Sequence, residues 1–177
     1  DLPQMDLFTY SFPCKCISLA GYQEGLEEGS GTQSSLVWEC FKIIEYHKPK
    51  YLLMENVKNL VGRKFKPQFD IICQKLEELG YNNYWSVMNG KDFNVPQNRE
   101  RCFMVSILGN YYYGFPKTKK LELRLKDLLE DEVDEKFYLS DKMKEYIKAN
   151  NGKWTGNDEK SIINRDIGVT INTRVGN

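Results

Sequence analysis

Residues 5–14 read Met5-Asp6-Leu7-Phe8-Thr9-Tyr10-Ser11-Phe12-Pro13-Cys14. The stretch from Met5 to Tyr10 is short and largely apolar, which predicts a strand. It runs directly into a proline and a thiol, so Cys14 stands just past the strand's carboxyl end. In open α/β sheets that is the end where ligands bind. Pro13 fixes one backbone torsion beside the thiol. A cysteine so placed can serve as a nucleophile if nearby positive charge favours its thiolate. A structural thiol fits these residues equally well.

Working outward, Gly21 to Gly31 is rich in glycine and glutamate and predicts an exposed loop. From Ser34 the apolar residues Leu36, Val37, Cys40, Phe41 and Ile44 recur at three- and four-residue steps, which predicts a helix ended by Pro49. Tyr51 to Met54 is a short apolar run that suits a buried strand. Pro67 opens a second helix with Phe69, Ile72, Cys73, Leu76 and Leu79 inward, and Gly80 stands where a C-terminal cap belongs. Tyr84 to Met88 and Cys102 to Leu108 read as two more strands. Strands alternating with helices predict an α/β fold, an open sheet with helices on its faces.

After Gly114-Phe115-Pro116 the composition shifts. Residues 117–120 are basic apart from one Thr, and residues 122–135 carry seven acids against two bases. Ser140 to Ala149 predicts one more helix. The tail from Asn150 is polar, with β-like pieces at Ile162-Ile163 and Val169-Thr170-Ile171. The expected organisation is a main unit over 1–115, a bridging segment over 116–150 and the start of a further unit over 151–177.

At 177 residues the chain has room for one domain, or one and part of another. Hydrophobic residues at 41% and charged residues at 28% exclude wholesale disorder. No stretch approaches the roughly 20 apolar residues of a membrane span, and the start has no signal-type run. The chain does not begin with Met, which suggests a trimmed piece. Lys+Arg and Asp+Glu balance at 25 each, so contact with nucleic acid would need a local patch. Five cysteines without a Cys-x-x-Cys pair, beside one histidine, argue against a disulfide scaffold and against a metal site. Cys40, Cys73 and Cys102 read as small buried apolar residues.

Two further groups bear on chemistry. Glu55-Asn56-Val57 follows the strand Tyr51 to Met54, so a carboxyl also stands at a strand's carboxyl end. Arg99 and Arg101, in Val95-Pro96-Gln97-Asn98-Arg99-Glu100-Arg101, are two apart and face one side of an extended chain. Paired guanidinium groups suit a phosphate or a carbonyl-bearing base. Each group alone also fits a surface role.

Together they resemble the cytosine-5 DNA methyltransferase family, densely from about Asp6 to Ile107. Phe12-Pro13-Cys14 with Ile17-Ser18-Leu19-Ala20-Gly21 is similar to the family's nucleophile motif. Gly31-Thr32-Gln33-Ser34-Ser35-Leu36 is similar to the helix motif after it. Glu55-Asn56-Val57 and Gln97-Asn98-Arg99-Glu100-Arg101 match two more, in the same order. Lys126-Asp127-Leu128-Leu129-Glu130 and Tyr138-Leu139-Ser140 resemble the bridge to the family's target recognition domain, which the tail would begin. Lys15 stands where the family usually has Gln, and Gln33 where it commonly has Arg.

The resemblance implies a partial Rossmann-like, S-adenosylmethionine-dependent methyltransferase sheet. It implies methyl transfer to carbon 5 of a cytosine flipped out of duplex DNA. Cys14 would add to carbon 6, which turns a poor nucleophile into an enamine. Glu55 would bond to ring nitrogen 3 and the amino group, helped by a buried setting. Arg99 and Arg101 would hold the base carbonyl and a neighbouring phosphate. Ser18 and Gln97 would meet DNA, Pro13 would lie against the cofactor, and the loop Gly21 to Gly31 would close as a lid.

The family's S-adenosylmethionine site rests on a glycine-rich loop and an acid upstream of the Pro-Cys motif. Only thirteen residues precede Cys14, and Gly29-Ser30-Gly31 follows no strand. This chain alone is therefore expected to bind the methyl donor weakly and to be inactive. A family member acting on transfer RNA, a non-catalytic remnant and half of a split enzyme are the alternatives. Exposed sheet edges would favour a complementary chain or self-association. The expected setting is the cytoplasm of a bacterial or phage-infected cell.

Overall fold

The computed structural model describes residues 2–18, 25–155 and 166–169. In chain order they form β1 (Leu7–Tyr10), α1 (Val37–His47), β2 (Tyr51–Val57), α2 (Lys66–Glu78), β3 (Tyr81–Asn89), β4 (Gln97–Asn98), β5 (Glu100–Leu108), α3 (Asp141–Thr155) and β6 (Gly168–Val169), with short 3-10 turns between. The chain divides into two compact units, Asp1–Met88 with Glu100–Lys117, and Asn89–Arg99 with Thr118–Asn177.

The first unit is built on a four-stranded sheet of order β1-β2-β5-β3. β1 runs parallel to β2, Leu7 opposite Tyr51 and Tyr10 opposite Met54. Parallel neighbours need a long crossover, which α1 supplies. β5 runs antiparallel to β2, from Tyr51 opposite Ile107 to Val57 opposite Arg101. The sheet is thus mixed, as many α/β sheets are.

Along β2 burial alternates, with Leu52, Met54 and Asn56 turned into the interior. Met54, with Cys102 and Met104 of β5, joins Phe41 and Ile44 of α1 and Phe69, Ile72 and Leu76 of α2 in one core. Val37, Phe41, Ile44, Phe69, Ile72 and Leu76 are therefore buried as their spacing predicts, while Leu79 is only half-buried. Leu36 is a correction: it is 48% exposed. It ends a 3-10 turn, Gln33–Leu36, ahead of α1, and the tighter winding carries it off the buried stripe. Cys102 is buried, but Cys40 and Cys73 are only half-buried, contrary to the expectation for them.

α2 begins beside Pro67, and Gly80 follows it with φ +94°, a left-handed conformation that glycine adopts without strain. β3 starts three residues earlier than its apolar pattern suggests. Asn82 and Asn83 are poor strand formers, but each is anchored: Asn82 Nδ2 donates to the Gly109 carbonyl at 2.6 Å and Asn83 Nδ2 to the Cys73 carbonyl at 2.9 Å.

In the second unit β4 and β6 pair in parallel, Gln97 opposite Gly168 and Asn98 opposite Val169. Phe93 bridges to Lys119. The Asn94 side-chain oxygen accepts from the Glu122 and Leu123 amides at 2.8 and 3.2 Å. α3 covers the helix expected from Ser140. Val169 lies in β6, whereas Ile162-Ile163 and Thr170-Ile171 lie outside the described residues. Among the described residues no helix is long and apolar enough to cross a membrane.

Candidate active site

The chain leaves β1 through Ser11 and Phe12, whose ring is buried. It then makes one helical turn around the thiol: the Ile17 and Ser18 amides both donate to the Cys14 carbonyl, at 3.0 and 2.7 Å. Cys14 is half-buried and packs against the core, while Pro13 and Lys15 on either side are exposed. Ser18 takes part through its backbone, closing this turn.

Two amides at and beyond the end of β2 grip the same segment. Asn56 Nδ2 donates to the Phe12 carbonyl at 3.0 Å, and Asn59 Nδ2 to the Ile17 carbonyl at 2.6 Å. Asn56 is only 2% exposed, and its oxygen accepts from the Val57 amide at 2.8 Å. Buried polar groups left without partners are costly. Asn56→Ala is therefore expected to destabilise the chain by about 1–3 kcal/mol, read as a lower urea midpoint at unchanged slope.

Glu55 is the neighbour of Met54, the residue paired with Tyr10 at the end of β1. Alternation along the strand turns Glu55 to the face opposite Met54 and Asn56. Val57 lies opposite Arg101 and Glu55 opposite Phe103, so Arg101 is the diagonal neighbour of Glu55 on that face. Diagonal neighbours are within reach of long side chains, and Arg101 Nε meets Glu55 Oε1 at 2.9 Å. Ser11 Oγ donates to the other carboxylate oxygen, Oε2, at 3.0 Å. Each oxygen of Glu55 is thus held from a different strand or strand end. Arg101 Nη1 also donates to the Glu100 carbonyl at 2.8 Å, and Lys58 pairs with the Glu100 carboxylate at 2.8 Å. The Glu55 side chain is 34% exposed, so its setting is polar and half-open, unlike the buried one expected.

The first unit therefore gathers Glu55, Arg101 and Ser11 in direct contact, next to the turn that carries Cys14. Arg99 and Gln97 belong to the second unit. There Asn89 Oδ1 accepts from the Arg99 amide at 3.0 Å and the Arg99 carbonyl accepts from Gly90 at 3.2 Å. Gln97 sits in β4. For Cys73 and Cys102, burial first, then nearby acids or thiols, pushes each thiol up to about 12, so neither is a ready nucleophile.

Ser34 escaped the sequence reading as a separate residue. It is fully buried, and its hydroxyl lies between the Pro13 carbonyl, at 2.6 Å, and the Cys16 amide, at 3.3 Å. Asn56, Asn59 and Ser11 were likewise not assigned these roles. For Ser34 and Asn56 the available signal is a polar residue at a position that the apolar period assigns to the interior.

Among the described residues no glycine turn links a strand to a helix that it feeds directly. A nucleotide-type cradle needs a glycine turn between a strand and the helix it feeds. β1 feeds the Pro-Cys turn and β2 feeds a 3-10 turn, Lys58–Val61. Gly29 and Gly31 have left-handed φ, but no atom lies within 4 Å of where their side chains would begin. Pro13 is exposed, and its carbonyl is engaged by Ser34.

A family model described as C-5 cytosine-specific DNA methylase matches residues 1–174. The Type II methyltransferase M2.ScrFI of Lactococcus lactis subsp. cremoris is 60% identical over 139 residues, 78% of this chain and 39% of that protein. The orphan methyltransferase M.SssI of Spiroplasma monobiae is 42% identical over 147 residues, 81% of this chain and 38% of that protein. The chain thus spans about two-fifths of the length of these relatives. Among solved structures, a DNMT2 from Spodoptera frugiperda superposes with a TM-score of 0.60 at 23% identity, over 81% of this chain and 45% of that one.

Proposed function

Because the chain belongs to the family of C-5 cytosine-specific DNA methylases, we propose that it carries the thiol-addition half of a DNA cytosine-5 methyltransferase site. The observation that supports this most is the Ser11–Glu55–Arg101 contact, with Ser11 three residues ahead of Cys14 in the chain. In this reading a cytosine leaves the duplex and enters between these groups, since its carbon 6 is out of reach inside the stack. The Cys14 thiolate adds to carbon 6. The electrons of the 5,6 double bond move into the ring, where Glu55 meets nitrogen 3 and the exocyclic amino group. Arg101 holds the Glu55 carboxylate in place and meets the base carbonyl, and Arg99 serves the neighbouring phosphate. Ser18 and Gln97 contact the DNA.

S-adenosylmethionine supplies the methyl group in this family, and Pro13 is the residue of this chain assigned to it. The relatives' names favour DNA over transfer RNA as the substrate. We assign the protein to the cytoplasm of a bacterial or phage-infected cell. Among the described residues β1 and β3 are the outer strands of the sheet, and such edges suit pairing with another chain.

The experiment uses two duplexes. In 5-azacytosine, nitrogen at position 5 makes carbon 6 more electrophilic, so thiol addition needs no methyl donor. In 5-fluorocytosine the adduct becomes permanent only after methylation, because fluorine at carbon 5 cannot leave as a proton. The chain should give a covalent band on a denaturing gel with the first duplex. It should give none with the second plus S-adenosylmethionine, and calorimetry should find no micromolar binding of that donor. No band with 5-azacytosine would overturn the assignment of Cys14. A band with 5-fluorocytosine, or clear micromolar binding, would overturn the incompleteness of the donor site.

A further inference from the structure

We propose that Ser34 is the positioning residue for the Cys14 thiol: its buried hydroxyl clasps the peptide groups on both sides of that residue. This rests on reading Cys14 as the nucleophile. Ser34 Oγ donates to the Pro13 carbonyl at 2.6 Å and accepts from the Cys16 amide at 3.3 Å. A hydroxyl has one proton to give and lone pairs to accept with, so one atom serves both peptide groups at once. The carbonyl before Cys14 and the amide two residues later are thereby fixed to one point. The Cys14 carbonyl is held separately by the Ile17 and Ser18 amides. With its flanking peptides pinned, the thiol has little freedom to turn away from the strand ends.

Further hydrogen bonds link Cys16 to the turn that holds Ser34. The Gly25 amide donates to the Cys16 carbonyl at 3.0 Å. Thr32 Oγ1 donates to the Gly25 carbonyl at 3.1 Å and accepts from the Ser35 amide at 3.2 Å, capping the turn that holds Ser34. Ser34 is 0% exposed, so water cannot take over its bonds.

Thr and Val have nearly the same shape and differ by a hydroxyl against a methyl. The test compares Ser34→Thr with Ser34→Val, so that any strain from the added bulk is common to both, with Ser34→Ala as a smaller third variant. The folded chain is treated with iodoacetamide at neutral pH, and labelling of Cys14 and Cys102 is followed by peptide mass spectrometry in one digest. Cys102 is fully buried and reports general opening of the fold. Ser34→Val and Ser34→Ala should label Cys14 about tenfold faster than Ser34→Thr, the shift that loss of a buried hydrogen bond allows, with Cys102 labelled alike in all. Equal Cys14 rates across the three, or Cys14 and Cys102 rising together, would overturn the proposal. The readout needs neither DNA nor methyl donor. It therefore stands or falls apart from the nucleophile assignment, which the 5-azacytosine duplex tests.

Discussion

Replacing Cys14 with Ser should abolish the covalent band with 5-azacytosine DNA, a loss of at least about a thousandfold in the rate of adduct formation. The serine oxygen stays protonated at neutral pH, so the nucleophile is lost while the turn around it keeps its shape. That turn is held by backbone groups and by Asn56, Asn59 and Ser34, none of which uses the sulfur. The stability of Cys14→Ser should accordingly stay close to that of the parent, and the urea midpoint checks this. An adduct of unchanged intensity, mapped to another residue, would remove Cys14 from the chemistry.

The largest effect on the fold is expected at Phe69. Its ring is fully buried between α2 and the sheet and meets Trp85 of β3 edge-on, with centroids 5.4 Å apart. Phe69→Ala leaves a cavity that rigid neighbours cannot fill, costing about 3–5 kcal/mol. Domains of this kind hold only about 5–15 kcal/mol of net stability, so the variant should be close to unfolding at 25 °C. Urea unfolding followed by circular dichroism reads this as a large drop in midpoint. A change under about 1 kcal/mol would mean that the α2 face is not packed as described.

These two positions show what could be read from the residues alone. Phe69, Ile72 and Leu76 lie at helical spacing, and the hydrophobic effect makes such a stripe self-announcing. Cys14 follows an apolar strand, so its placement past the strand end needed only that strand, whereas Glu55, expected just beyond Met54, lies inside β2, which runs on to Val57. The partnership of Glu55 with Arg101 was not legible, because it depends on β5 running antiparallel to β2 in one particular register. A slip of a single residue would turn Arg101 to the other face. Leu36 was misplaced for a local reason: the period assumed 3.6 residues per turn where the chain winds more tightly. Ser34 was overlooked because its role lies in peptide groups 18 to 21 residues away. The association of Asn89–Arg99 with residues beyond Thr118 likewise rests on pairings such as Gln97 with Gly168, for which no nearby pattern gives a sign.

The chain passes between its two units three times, after Met88, after Arg99 and after Lys117. Anyone wishing to transplant the second unit onto a cousin enzyme therefore has no single scissor point. A graft made at Lys117 alone would leave Asn94 and Pro96 facing foreign neighbours in place of Glu122, Leu123 and Gly168. A working chimera has to carry the Asn89–Arg99 segment along as a second, separate patch.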